Sequence, residues 1–355
     1  MAVVRTVLGE TDSADLGPTL FHEHLLLNGE TAWHEPAPDD AEGWAIAREP
    51  VRMEFLGRLR NDPYLSLDNT RLDSVETAVE EVRALIAAGG RTLVEVTPDA
   101  SGRDPRGLRA IAEATGLNIV MGCGFYLERT HPEGFADMPI DDIADRIVAD
   151  VLEGVEGVHA GVIGEIGVGL HFTPAEEHSL RAAARAQRRC GVPLSVHLPG
   201  WLRYGHRVLD IVEEEGGILD ATVLSHMNPS HADGEYQRSL ADRGAWVEYD
   251  MLGMEFHYPG EGQSPSDEDN AAAIARLLAD GYGKRLLLSH DVFIKTLLRT
   301  YGGFGYAHVL TGFADRLERH DVGREQLLEI LTTNPKAVFD AAWEGEHHDK
   351  GACRG

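Results

Sequence analysis

Three cysteines in 355 residues (Cys123, Cys190 and Cys353) are too few for a disulfide framework, and none stands in a CxxC pair. Long apolar runs are missing too: nothing approaches the roughly 20 residues of a membrane span, and the start, MAVVRTVLGE, has no signal-peptide core. Positive charge is scarce, with 32 Lys and Arg against 59 Asp and Glu, a net of −27. So acidic a surface repels phosphate backbones and anionic lipid, which argues against nucleic-acid or membrane partners; the partner expected, on the site residues below, is a small-molecule substrate. There is no clear internal repeat and no low-complexity tract. Together these absences lead us to expect a cytoplasmic globular chain.

What is present is alternation. Short apolar runs at Thr19–Phe21, Thr92–Thr97, Asn118–Gly122, Gly161–Ile166, Leu194–His197, Thr222–His226, Trp246–Asp250 and Arg285–Ser289 read as strands. Most are continuous rather than alternating, as suits parallel strands covered on both faces. Helical patterns separate them. Asp73 with Glu76 reads as a capping box for a helix stopping at Gly89–Gly90, and Thr173-Pro174-Ala175-Glu176 opens one that ends at Gly191. Segments 141–155, 267–280 and 324–331 read as further helices, and Asn334-Pro335 as the start of a short last one. The pattern predicts an α/β fold, a (β/α)8 TIM barrel over residues 1–343, with a doubly wound open sheet as the alternative. Two segments exceed ordinary loop length, 29–69 and 252–266, and in a barrel both fall on the catalytic face. Residues 344–355 form a polar tail, expected to be disordered.

A barrel performs its chemistry at the carboxyl ends of its strands, which selects among the 17 histidines. His22-Glu23-His24 closes the first strand; residues two apart share a face, so His22 and His24 point inward and Glu23 outward. Glu165 lies inside an otherwise apolar fourth strand, where an unpaired charge would cost several kcal/mol, roughly. His197 ends strand 5, His226 ends strand 6, and Asp291 follows strand 8. One tetrahedral ion with an open position needs about three ligands. Two divalent ions sharing Glu165 use the whole set: His22, His24 and Asp291 on one, His197 and His226 on the other. Zinc suits these donors first, with manganese, cobalt and iron also compatible.

These residues, with HEHL (22–25), GGRTLVEVTP (89–98), GFY (124–126), GVIGEIG (161–167), LSHMNP (224–229), EYDMLG (248–253), LSHD (288–291) and YGGFGYAH (301–308), resemble the phosphotriesterase family of the amidohydrolase superfamily, and most of all its phosphotriesterase-related branch. The resemblance runs from Thr6 to Pro335. It implies a TIM barrel with a binuclear centre and allows a homodimer. Founding members bridge their metals with a carbamylated lysine on strand 4. This chain has only four lysines, the first at Lys284, so Glu165 must take that place, as in the related branch.

The expected reaction is hydrolysis. A metal-bridging hydroxide attacks the carbonyl of a lactone, carboxylic ester or N-acyl amide, with Asp291 as proton acceptor and shuttle. Tyr126, matching a tyrosine of the family's lactonases, is placed to hydrogen-bond the substrate oxygen. Phosphotriester hydrolysis is the alternative, and a catalytically silent small-molecule-binding member of the fold the second alternative. Asp250, His257 and Arg203 are candidate substrate contacts, Asp250 alternatively orienting a ligand histidine; Arg207 is a further candidate anion contact. His290 is expected to back the site rather than ligate. His34, His131, His171, His206 and His347/His348 are read as surface histidines.

Overall fold

A computed structural model describes the backbone of residues 2–352 and side chains up to residue 344. Eight parallel strands follow one another around a single sheet: β1 (Thr19–Glu23), β2 (Thr92–Glu95), β3 (Asn118–Cys123), β4 (Val162–Gly167), β5 (Leu194–His197), β6 (Thr222–Leu224), β7 (Trp246–Tyr249) and β8 (Leu286–Leu288). The sheet closes where β8 meets β1. Asp291 N–H donates to the His22 carbonyl at 3.2 Å, and His22 N–H donates to Ser289 Oγ at 3.1 Å. The fold is therefore the expected (β/α)8 TIM barrel.

The helices between the strands are α1 (Val75–Ala87), α2 (Pro105–Thr115), α3 (Ile140–Leu152), α4 (Pro174–Cys190), α5 (Gly205–Glu214), α6 (Gly234–Asp242) and α7 (Asp267–Ala279), with α8 (Arg324–Ala352) last. Helix α4 forms for the reasons visible in its sequence. Thr173 and Glu176 make a reciprocal capping box, Pro174 occupies the first turn, and Gly191 closes the helix at φ +63°. Helix α1 departs by one residue: Ser74, not Asp73, is the cap, accepting from Thr77 N–H at 3.1 Å. The largest departure is at the C-terminus. Asn334-Pro335 does not start a new helix, because α8 runs unbroken through Pro335 and on to Ala352, taking in part of the polar tail. Asn334 Nδ2 donates to the carbonyls of Gly283 and Leu286 at 2.7 Å each, and Val338 and Phe339 pack under the barrel, so tertiary anchoring overrides the lost backbone bond.

The barrel floor is one apolar cluster: Phe21, Val94, Val96, Val120, Val162, Val223 and Leu287 point inward, plugged by Ala2, Val4 and Leu16. An N-terminal hairpin, Val3–Thr6 with Gly9–Asp12, carries part of this plug. The helices bury their apolar stripes in a second cluster outside the strands. The floor and the outer layer are packed mainly by apolar side chains, and the candidate site residues gather at the upper end of the barrel.

Two strands break their pairing register near the site. In β1 the register shifts between Leu20 and Glu23, so Phe21 joins the floor and His22 still faces inward. In β4 it shifts between Ile163 and Ile166, which turns Glu165 into the barrel. Gly164 sits in that bulge at φ +154°, and a Cβ there would lie 2.7 Å from Ser195 Cβ, so no side chain fits. The expected long loops take the expected face. Loop 29–69 carries short helices at Ala41–Ile46 and Leu56–Leu59, and loop 252–266 a two-stranded turn pairing His257 with Gln263.

Candidate active site

His22, His24, Glu165, His197, His226 and Asp291 converge at the upper end of the barrel, all but His197 fully buried or nearly so. Glu165 stands at the centre. Its Oε1 lies 3.5 Å from His24 Nε2; its Oε2 lies 3.0 Å from His197 Nδ1 and 3.7 Å from both His22 Nε2 and His226 Nε2. Asp291 Oδ1 closes the other side, 3.3 Å from His24 Nε2 and 3.6 Å from His22 Nε2. Among the described residues, His22–Glu165–His226 and His22–His24–Asp291 each bring three ligand atoms within 4.8 Å of one another. A third such grouping joins His22 with Glu248 and Asp250 on the Nδ1 side of the ring, so His22 belongs to all three.

The histidines are aimed by the groups behind them. Thr97 gives its proton to Glu95 at 2.6 Å and so accepts from His24 Nδ1–H at 2.8 Å. Ser225 gives its proton to Glu248 at 3.1 Å and accepts from His22 Nδ1–H at 3.2 Å. Asp250 takes the His226 Nδ1–H at 3.1 Å and the His226 backbone N–H at 2.9 Å. These partners assign each tautomer, leaving the Nε2 lone pair directed into the site. Among the described residues His22 Nε2 has no hydrogen-bond partner although it is fully buried. His226 Nε2 faces His197 Nδ1 at 2.8 Å. Converging lone pairs, an orphaned ring nitrogen and two central carboxylates are what a divalent cation satisfies, so the residues present fit metal ions.

Electrostatics agrees. Burial would lower the His22 pKa, but the carboxylates of Glu248, Asp250, Asp291 and Glu165 around the ring outweigh it and push the imidazole up to about 10. Burial likewise opposes the rise at His24 and His226, which carboxylate partners win. Glu165 is driven well below the usual carboxylate range, against its burial, by the hydrogen bond from His197 and the nearby rings of His226 and His22. His197 goes down, through burial and the neighbouring His226. The cluster therefore demands positive charge, and without metal it takes protons. Two members of the cluster carry a backbone cost as well: His226 at φ +59° and Asp291 at φ +52° adopt the left-handed conformation.

Above the cluster opens a cavity of about 520 Å³, lined by Glu165, His197, His226, Asp291 and Tyr126, with Leu27 and Tyr64 around one long loop and Met254, Tyr258 and Glu261 from the other. Tyr126 Oη lies 3.4 Å from His197 Nδ1, at the edge of the candidate centre.

Several expected residues lie elsewhere. Arg203 is not in the cavity: it pairs with Asp233 at 3.1 Å and stacks on Tyr236. Arg207 pairs with Glu177 on the helix exterior. His257 is exposed and takes no part in the cavity wall, its neighbour Tyr258 facing in instead, as strand alternation requires. Asp250 is sealed beneath His226, so it orients that ring rather than touching substrate. Glu23 faces away from the centre but is fully buried, accepting from Ser289 Oγ, the His290 and Val292 backbone N–H groups, and His290 Nδ1 at 2.7–3.0 Å. His290 accordingly backs the site. His34 and His171 line the cavity rather than plain surface. His206 and His131 hydrogen-bond Ser239 and the Tyr126 carbonyl, and the side chains of His347 and His348 lie outside the described residues. The sequence reading missed Thr97, Ser225 and Glu248. A signal existed for two of them: Leu-Ser-His occurs at both 224–226 and 288–290, and Glu248 shares the inward parity of Asp250.

The match to the phosphotriesterase family model spans residues 2–339. The chain belongs to the phosphotriesterase family. Similarity to a resiniferatoxin-binding protein from Rhodobacter sphaeroides reaches 50% identity and a TM-score of 0.93 over 96% of this chain and 95% of that one. An N-acetyltaurine hydrolase of Tetraodon nigroviridis is 36% identical over 94% of this chain and 96% of its own length. The phosphotriesterase from Mycobacterium tuberculosis is 26% identical, with a TM-score of 0.73 over 95% and 98% of the two chains. As a phosphotriesterase-family member with hydrolase relatives along nearly its full length, the chain is a hydrolase. Among the described residues no helix is long and apolar enough to cross a membrane.

Proposed function

We propose that this phosphotriesterase-family chain is a binuclear metal-dependent amide hydrolase acting on a small N-acyl amine. The observation that carries the reading is the splayed placement of Glu165, one oxygen towards His24 and the other towards His197 and His226. A carboxylate so placed is suited to two ions, His22, His24 and Asp291 holding one, His197 and His226 the other. When bound, such ions acidify water and polarise a carbonyl oxygen. Zinc is the first choice for this donor set.

The chain's own residues divide the remaining work. Asp291, open to the cavity, takes the proton of the attacking water and returns it to the departing nitrogen, a poor leaving group until protonated. Tyr126 donates a hydrogen bond to the acyl oxygen; burial holds its hydroxyl well above the usual tyrosine range, so it keeps that proton. Tyr64, Tyr258, Met251 and Met254 give the acyl group apolar walls. The full-length similarity to an N-acetyltaurine hydrolase favours an amide over a lactone or phosphotriester.

A second reading, small-molecule binding without turnover, draws on the similarity to a resiniferatoxin-binding protein. Metal analysis and one hydrolysis panel separate them. The expected result is about two ions per chain and turnover of N-acyl amines ahead of lactones and aryl phosphotriesters. Metal-loaded protein that hydrolyses none of the panel leaves the binding reading standing.

A further inference from the structure

Arg129 is the only lysine or arginine among the residues lining the cavity. It sits on the turn Glu128–Thr130, and among the described residues it makes no hydrogen bond or ion pair, in a chain with 59 carboxylate side chains to pair with. Its turn is firmly held. Glu128 N–H donates to Glu176 Oε1 at 3.3 Å, Thr130 Oγ1 to the Leu127 carbonyl at 2.8 Å, and His131 Nε2 to the Tyr126 carbonyl at 2.8 Å. Arg129 lines the same cavity as Tyr126, Tyr64, Glu165, His197 and Asp291, and so shares its space with the reacting end. Of the acidic groups lining the cavity mouth, Glu176 is consumed by its turn, accepting from Gly169 and Thr173 N–H at 3.0 Å each. Glu261, from the other long loop, is the remaining counter-charge beside Glu128.

From this we infer that Arg129 is the specificity residue for the far end of the substrate, binding a sulfonate or carboxylate on the amine portion while the acyl carbonyl sits by Tyr126. A planar guanidinium offers paired donors to just such oxyanions, and Glu261 opposes it by repulsion. The substrate class is then an N-acyl amine with an anionic tail. The inference rests on the amide-hydrolase reading.

The test compares N-acetyltaurine with N-ethylacetamide, identical but for the sulfonate, on metal-loaded enzyme. Arg129→Gln is expected to raise KM for N-acetyltaurine about tenfold or more, the worth of one charge-assisted contact, with kcat within about twofold and N-ethylacetamide unaffected. Arg129→Lys recovers part of the loss, and Glu261→Gln lowers KM for the anion. Equal effects on both compounds, or none, overturn the inference. If wild-type enzyme hydrolyses neither, the amide reading fails on its own. Calorimetric binding of N-acetyltaurine then decides about Arg129: about tenfold weaker binding to Arg129→Gln supports it, and equal binding, or no binding to wild type, overturns it.

Discussion

Asp291 has more to do than any other side chain in the cluster. It faces His24 and His22 through one oxygen, opens to the cavity, and holds its place in a left-handed backbone conformation. Asp291→Asn keeps the shape but removes the proton acceptor. We expect kcat to fall by about 10²–10⁴ with a smaller change in KM, measured on the best amide of the panel; near-wild-type turnover would remove Asp291 from that role. Asp250 acts one step further out. Because it grips His226 through both the ring and the backbone N–H, Asp250→Asn should weaken metal retention or activity by about 10–100-fold while leaving the cavity wall intact. Metal content after dialysis reads this directly, and full retention with unchanged activity would contradict it.

Between strand and loop, the unit that matters is the seam joining β1 to β8. Glu23 collects the donors of Ser289, His290 and Val292, and so fixes the path on which Asp291 lies. His290 passes the connection onward, accepting from Val309 N–H at 2.9 Å. Replacing Glu23 by Ala strands these buried donors, at a cost of about 3 kcal/mol or more. Denaturant unfolding should show that loss with an unchanged m-value, together with reduced metal binding, since the Asp291 segment loses its anchor. Glu23 also shows where element-level pattern reading ran out. Strand parity correctly turned it away from the centre, yet outward in a barrel means against the next layer, not into water. Parity likewise put His22 and His24 together, although a bulge rather than regular alternation lets Phe21 and His22 both face in.

At the scale of the whole molecule, the carboxylates around the centre destabilise one another unless cations sit among them. Metal binding is therefore expected to stabilise the fold, by RT ln(1 + [L]/Kd), and a chelator to lower Tm. The sign of the pH dependence follows from the directions above. His22, pushed up to about 10, and His24 and His226, also raised, hold protons in the metal-free fold. Their stabilising contribution to the metal-free protein is present at lower pH and is lost as pH rises through the folded values. Metal competes with those protons, so the gap in Tm between loaded and chelated protein should widen from about pH 6 to pH 9. A gap that narrows with rising pH would mean that these histidines do not ligate.

The eight-fold alternation of apolar runs and capped helices determined a parallel α/β sheet from sequence alone, because strands buried on both faces admit few other arrangements, and the closure of β8 onto β1 decided the barrel over an open sheet. Residues at strand ends were legible for the same reason: a barrel's topology sends the ends of its strands to one place. The tertiary structure alone decided the rest. It placed Thr97 and Ser225 behind the histidines, sent Arg203 to Asp233, set Arg129 at the cavity without a partner among the described residues, and carried α8 through Pro335. Each of those outcomes depends on a partner distant in the chain. Local periodicity, which reports only on near neighbours, carries no record of such partners.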